Sequence, residues 1–514
     1  METARAALAE IAAVEPADAR QRLAKAVFTE RVGLQVELYD AGMIVGDLNV
    51  IASPIQDTRQ VFDLMLPATS ARQWETIAAR LAAVPDAVSN IRAGLAHAAD
   101  GGRCPALRQV EKVAEQCETW AGAGGDLPYF DQLVKPAAEV DGVGDSLRRE
   151  LDDRATAATK ALAELATYMR EQLAPRAPAR DAVGPDVYAL RSRDFLGAEL
   201  DAAEAYEWGW EEFFRIEAEM KQVADRIKPG ASLAEAAREL DADERYQVNG
   251  RHEYEQWMQQ LSDAALAELR DVHFDIPDPL MRLECKIAPP GGSVGAYYTG
   301  PSEDFSRPGR MWWSVAGNKE QFPTWREVTT VYHEGVPGHH LQIATATYVA
   351  DTLNTFQRQL SWVSGHGEGW ALYAERLMRE LGYFTDDGNL LGMLDGALFR
   401  AARVIVDLGM HLELPIPAGA GFHPGERWTP QLGLEFMLTR TISDPAHVYD
   451  EIDRYLGWPG QAPSYKLGER LWVTARDEAR QRGGAAFDLK SFHTAALRMG
   501  SMGLDTLRQQ LAQL

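Results

Sequence analysis

Residues 333–342 read HEGVPGHHLQ, and the spacing of the three histidines sets the first question about this chain. In H-E-x-x-H, two histidines one helical turn apart can hold a zinc ion while the glutamate between them serves as general base. Here the residue four after His333 is Pro337, and the next histidines are His339 and His340. On an unbroken helix His340 would share a face with His333 but lie about 10.5 Å away along the axis, and His339 would lie about 9 Å away on another face. Zinc–imidazole bonds of about 2.0–2.1 Å bridge neither gap. Pro337 forbids that helix in any case, because it lacks an N–H and its ring clashes with the carbonyl of residue 333. Gly335 and Gly338 flank it and can take backbone angles closed to other residues. The expectation is a bulge that brings His339 or His340 beside His333. The plainer reading is a histidine-rich loop with no ligand role.

A second stretch, SGHGEGWALYAERL at 364–377, bears on the choice. A two-histidine zinc site needs a third ligand and an open position for water. Glu368, on an antiparallel return helix, is placed to be that ligand. Glu375 follows seven residues later on the same face and can hydrogen-bond a ligand from behind. The alternative for Glu368 is a helix-start carboxylate stabilised by the helix dipole.

The 514 residues exceed the usual size of one compact core, so two lobes are expected. Residues 1–270 read as amphipathic helices, for example 71–99 and 203–227, with apolar residues three and four apart. Near 271 short β-favouring runs broken by Pro and Gly predict a small sheet. Helical periodicity returns from about 325. The expected division is a helical lobe over 1–270 covering a cleft and a catalytic lobe over 271–514. No run of 18 or more apolar residues and no apolar leader segment is seen, so neither a membrane span nor a signal peptide is expected. Cys104, Cys117 and Cys285 lack metal-ligand spacing and read as reduced thiols of a cytoplasmic protein. A formal net charge of −24, with no basic stripe, argues against a nucleic-acid partner.

GEGWALYAE at 367–375 is similar to the NEGFAxYxE segment of aminopeptidase N-type gluzincins, whose glutamate is the third zinc ligand. HE…GHHLQ resembles the HExxH helix of that clan with two residues inserted. LNVIASP (48–54), VFDLM (61–65), HFDIPDP (273–279), AYYTGPSEDFSRPG (296–309) and PGQAPSYKLG (459–468) resemble segments of the bacterial domain-of-unknown-function family 885, usually grouped with gluzincin metallopeptidases. The resemblance implies a mainly α, two-lobed metallopeptidase-like fold with a small sheet beside the metal helix and a deep central cleft. It implies one Zn²⁺ per chain on His333, His339 and Glu368, with Glu334 as general base. His339 is favoured over His340 by aligning the two Gly-His pairs.

Several side chains are then candidates for the surroundings. An edge strand carrying Tyr297 and Tyr298 would pair with an extended substrate, as in gluzincins, or form a purely structural hairpin. Arg307 would recognise a substrate carboxylate or brace its loop through Glu303 and Asp304. His340 is a substrate contact or a packed residue. Arg403 and Asp407 are spaced as an i,i+4 pair, on a helix that also carries Arg400 and His411. That face would line the cleft, with Arg403 toward substrate and His411 toward substrate or oxyanion, or else be core. Tyr465 and Lys466 follow a Gly/Pro turn. Tyr465 is the first candidate for an oxyanion donor and His411 the second, with Lys466 a substrate contact. The expected activity is zinc-dependent hydrolysis of amide bonds in short peptides, of a dipeptidase or carboxypeptidase kind. The alternatives are hydrolysis of a non-peptide amide or modified amino acid, or metal and peptide binding without catalysis.

Overall fold

The structure, a computed structural model, describes residues 1–63, 65–288, 295–315 and 319–514. Among these the chain is mainly helical with five short strands, and no helix is long and apolar enough to cross a membrane. Backbone contacts divide it into two compact units. The first comprises Met1–Val36, Val183–Tyr455 and Pro459–Leu514, and the second Glu37–Ala182 with Leu456–Trp458. Residue 270, where a boundary between lobes was expected, lies inside the first unit. The helix Arg251–Leu269 packs on the strand Leu283–Ile287. There the Gln259 amide donates to the Leu283 carbonyl (2.8 Å) and accepts from the Cys285 N–H (2.9 Å). The change of sequence character at 271 therefore marks a change of secondary structure within one packed body.

In the second unit the helices Ala71–Asp100, Leu107–Trp120 and Asp145–Tyr168 pack around Trp74, Leu81, Val110, Val113 and Leu162. The LNVIASP stretch lies here as a turn that satisfies its own backbone. The wholly buried Asn49 accepts from the N–H groups of Ile51 (3.0 Å) and Ala52 (2.7 Å), and Gln56 accepts from that of Ser53 (3.0 Å).

The strands belong to the first unit. β1 (Gln247–Asn249) pairs antiparallel with β5 (Gln321–Pro323). β2 (Leu283–Ile287), β3 (Gly295–Thr299) and β4 (Gly309–Ser314) form a sheet of order β2-β4-β3. β2 runs parallel to β4, while β3 pairs antiparallel with Tyr297 opposite Trp312, so β3 is an edge. Burial alternates along β4, sending Met311 and Trp313 into the core as the two-residue period of a strand requires. That core continues through Trp370, Tyr373 and Trp472, where the helices Ser364–Glu380 and Ser464–Gly483 meet. Gly369 sits directly on Gly468, and a Cβ on Gly369 would stand 2.5 Å from the Gly468 Cα. The helices Glu327–Glu334 and His339–Tyr348 pack against the first of that pair and carry the histidines.

Candidate metal centre

The expected bulge is a break between two helices. One helix ends at Glu334, the chain passes through Gly335 and a cis Val336–Pro337 peptide, and a new helix begins at His339. Three hydrogen bonds tie the break down: Gly338 N–H to Tyr332 O (3.0 Å), His340 N–H to Gly335 O (3.1 Å), and the Trp370 indole N–H to Pro337 O (2.9 Å). Gly338 packs so tightly that a Cβ there would fall 1.9 Å from the His333 carbonyl oxygen. Only glycine lets the second helix start so close to the end of the first. As a result the His333 and His339 rings stand 4.8 Å apart at 88°.

Glu368, from the helix behind, completes a cluster whose three ligand atoms lie within 4.8 Å of one another. Its Oε2 is 3.3 Å from His333 Nε2 and 3.4 Å from His339 Nε2. A tetrahedral ion with bonds of about 2.0–2.1 Å sets its ligands about 3.3–3.4 Å apart, so the two separations from Glu368 fit zinc. The chemistry fits as well. His333 Nδ1 is 2.7 Å from Glu375 Oε1 and donates its proton there, which leaves the lone pair of Nε2 facing a carboxylate oxygen. Two acceptors at that separation repel unless a cation, or a proton, lies between them. Burial alone would push the His333 imidazole down, but Glu368 and Glu375 outweigh it and raise it to about 10. Burial likewise opposes the Glu368 charge, yet His339 and His333 hold its carboxyl well below the usual range. Both shifts express an affinity for positive charge at this point.

Glu375 is fixed from two sides, accepting from Thr329 Oγ1 as well as His333. Glu334 lines the same cleft and is 6% exposed, and burial pushes its carboxyl up. The cleft has a volume of ≈ 1010 Å³. Tyr297 and Tyr298 of the edge strand line it, with Arg403 and Tyr465.

Other sequence candidates are placed differently. His340, adjacent to a ligand candidate, turns away from the cluster. Its Nε2 meets the Leu280 carbonyl (2.7 Å) and its Nδ1 the Tyr298 hydroxyl (2.9 Å). It is a buried anchor for the edge strand, pushed down to about 4 by burial, and does not reach the cleft. Arg307 is exposed outside the cleft and hydrogen-bonds the carbonyl of Pro308 (3.3 Å). Glu303 pairs with Arg358 (2.9 Å) instead. Lys466 is buried in ion pairs with Glu212 (3.0 Å) and Glu469 (2.5 Å) and faces a separate cavity of ≈ 240 Å³.

The helix Asp387–Leu412 divides its polar residues between cleft and core. Arg403 reaches the cleft but spends its fork on Glu451 (2.7 and 3.1 Å) and the Tyr455 hydroxyl (3.0 Å), so it frames the site rather than facing it open. Asp407 does not pair with Arg403; it accepts from the Tyr188 hydroxyl (2.7 Å) and the Gly460 N–H (2.9 Å). His411 is wholly buried, with Nε2 3.0 Å from the Tyr455 carbonyl, and lies outside the cleft. It cannot reach an oxyanion there. Tyr465 keeps its place: its ring lies 4.6 Å from the Arg403 guanidinium and its hydroxyl accepts from Arg454 (3.3 Å), which leaves its own proton to donate.

The sequence reading of the site passed over a cleft tryptophan. Trp362 is 49% exposed at the cleft wall, 5.9 Å from the His339 ring. Gly367, beside Glu368, leaves room for its indole, since a Cβ there would stand 2.1 Å from Trp362 Cη2. The glycine ahead of Glu368 was the available signal. Arg400, expected on the cleft-lining face of its helix but given no role of its own, does line the cleft, three residues before Arg403 and near Glu375 (3.9 Å).

With fold and site in view, the class is clear: the chain belongs to a family of bacterial proteins of unknown function, DUF885, which it matches over residues 1–511. Its fold is similar to that of a "putative lipoprotein" from Colwellia psychrerythraea. That likeness has a TM-score of 0.85 at 24% identity and covers 100% of this chain and 89% of that one. A "putative lipoprotein of unknown function" from Shewanella oneidensis is similar at a TM-score of 0.71 and 17% identity, covering 99% and 91%. No curated protein matches the sequence.

Proposed function

We propose that this chain is a zinc-dependent hydrolase of amide bonds in short peptides. The observation that carries the reading is the convergence of His333, His339 and Glu368, with both histidines at tetrahedral-edge distance from the carboxylate and all three ligand atoms within 4.8 Å of one another, in a cleft that also presents Glu334. An ion held there would supply Lewis-acid polarisation of the amide carbonyl and of the attacking water. Glu334 takes the proton from that water and passes it to the departing amine nitrogen. Its raised carboxyl suits a base that must also return a proton. Glu375 fixes the His333 tautomer, so that the lone pair of Nε2 faces inward. The Tyr465 hydroxyl donates to the oxyanion that forms on the carbonyl oxygen. The edge strand β3, at the cleft wall, offers backbone groups to an extended substrate.

The test is a panel of dipeptides, tripeptides and blocked peptides with zinc-loaded protein, run beside Glu334→Gln. The reading expects hydrolysis of some members, and a loss of about 10²–10⁴-fold in kcat in the variant with zinc retained. Turnover of non-peptide amides alone would move the substrate class, and near-normal turnover by the variant would sink the mechanism. Zinc and peptide binding with no hydrolysis would leave a binding protein.

A further inference from the structure

Three arginines line the metal cleft, and two of them are occupied. Arg403 holds Glu451 with both arms of its fork, and Arg454 holds Glu451 (2.9 Å) and Gln461 (2.6 Å). Arg400 is different. Its Nε is buried without a partner among the described residues, and its side chain is 19% exposed. The ion pair it makes, to Glu375 Oε1, is 3.9 Å long, beyond hydrogen-bonding distance. Each oxygen of Glu375 already accepts one closer hydrogen bond, from Thr329 or from His333. A guanidinium carries five N–H donors, and removing it from water is costly unless they are used. Here the charge faces Glu375, Glu334 and Asp395, but the Nε makes no hydrogen bond among the described residues and the fork stands at the wall of a cleft, beside the carboxylate that supports a metal ligand.

Gly396, one turn earlier on the same helix, also lines the cleft and makes room for this side chain: a Cβ there would stand 2.6 Å from Arg400 Nη1. The contacts from Arg400 to Glu375 (3.9 Å) and from Glu375 to His333 (2.7 Å) keep the fork within about 11 Å of the space between the three ligand atoms. One or two residues, at about 3.3–3.6 Å each, cover about 3–7 Å of that distance, and the contacts at its two ends, about 2–3 Å each, cover the rest. We infer that Arg400 is the anchor for a substrate carboxylate, and that the enzyme acts on peptides with a free C-terminus one or two residues beyond the scissile bond. A fork with free donors matches a carboxylate through two parallel hydrogen bonds. This inference rests on the proposed hydrolase reading for its reaction, but not for its binding site.

The experiment compares one peptide as free acid and as C-terminal amide, with zinc-loaded wild type, Arg400→Met, Arg400→Lys and Gly396→Ala. Zinc content and thermal midpoint are measured on each. The last substitution crowds only the tip of the arginine and keeps its charge. Wild type should prefer the acid by about 100-fold in kcat/KM, chiefly through KM. Arg400→Met should erase most of that preference by losing the acid, and Arg400→Lys and Gly396→Ala should retain part of it. Equal cleavage of acid and amide by wild type, or an equal loss on both in the variants, would overturn the anchor in favour of an oxyanion or ligand-supporting role. In parallel, calorimetry follows N-acetyl-phenylalanine and its amide binding to the same proteins. Acid-selective binding that Arg400→Met abolishes would uphold the anchor even if no peptide were hydrolysed, in which case the hydrolase reading alone falls. Equal binding of acid and amide, or binding unchanged in Arg400→Met, would overturn it.

Discussion

The break at 335–338 and the helix Asp387–Leu412 carry comparable numbers of candidate residues, yet they differ in how far their chemistry can be read from order along the chain. At the break, the constraint is local. A proline that cannot continue a helix and a glycine that admits a close carbonyl leave few paths, and one of them sets the His333 and His339 rings 4.8 Å apart. On the long helix, local spacing pairs Arg403 with Asp407 and aims His411 at the cleft. The partners that win lie far away in sequence: Glu451 for Arg403, Tyr188 and Gly460 for Asp407, the Tyr455 carbonyl for His411. An i,i+4 pair is worth only about 0.2–0.5 kcal/mol, so a buried hydrogen-bonded partner easily overrides it.

The sharpest difference between the two regions lies in their expected effects on rate. Tyr465→Phe should lower kcat by about 10²–10³-fold while KM and zinc content stay close to wild type, as for a donor used mainly in the transition state. His411→Ala, measured beside it, should alter thermal stability and leave the chemistry of the remaining folded enzyme intact. A kcat loss in His411→Ala larger than in Tyr465→Phe would break the comparison. The next effect concerns metal. Glu375→Gln should weaken zinc binding by about 10–100-fold, measured by competition with a chelator, because His333 loses the charged acceptor for its Nδ1 proton. Unchanged affinity would mean that the cluster orients itself without that carboxylate.

The smallest effect is in the core of the long helix. Burial pushes the Asp407 carboxyl up to about 7, partly offset by the Tyr188 hydroxyl and the Gly460 N–H. A carboxyl raised on folding binds its proton more tightly in the folded chain, so its stabilising effect is present at low pH and lost as pH rises through about 7. Relative to Asp407→Asn, the wild-type protein should therefore lose on the order of 1–3 kcal/mol between about pH 4 and pH 7 in chemical denaturation. A pH-independent difference would show that Asp407 is ionised throughout.

These contrasts explain what was legible in the sequence. The helical class, the small sheet after 271 and the pairing of His333 with a histidine beyond the break and with Glu368 follow from periodicity, turn residues and ligand chemistry, all of which act over a few residues, while the choice of His339 came from the resemblance to gluzincins. The unit boundaries were not legible, because the Gln259 contacts with Leu283 and Cys285 join segments across the change in composition at 271. Nor was the difference between His339 and His340. Neighbours on a helix start point about 100° apart, and only the Leu280 carbonyl and the Tyr298 hydroxyl decide which of them is drawn away. Trp362 went unread, and Arg400 was placed on the cleft face without a role, for the same reason: each is defined by what faces it, or by what leaves it free.

The central claim is a metal centre built from His333, His339 and Glu368, and its most direct test is the zinc content of protein purified without chelator. Wild type and His340→Ala should each carry close to one zinc per chain, with His340→Ala less stable by about 1–3 kcal/mol for its two abandoned partners. His333→Ala, His339→Ala and Glu368→Ala should each carry almost none. Full zinc in His339→Ala, or its loss in His340→Ala with the fold intact, would contradict the account.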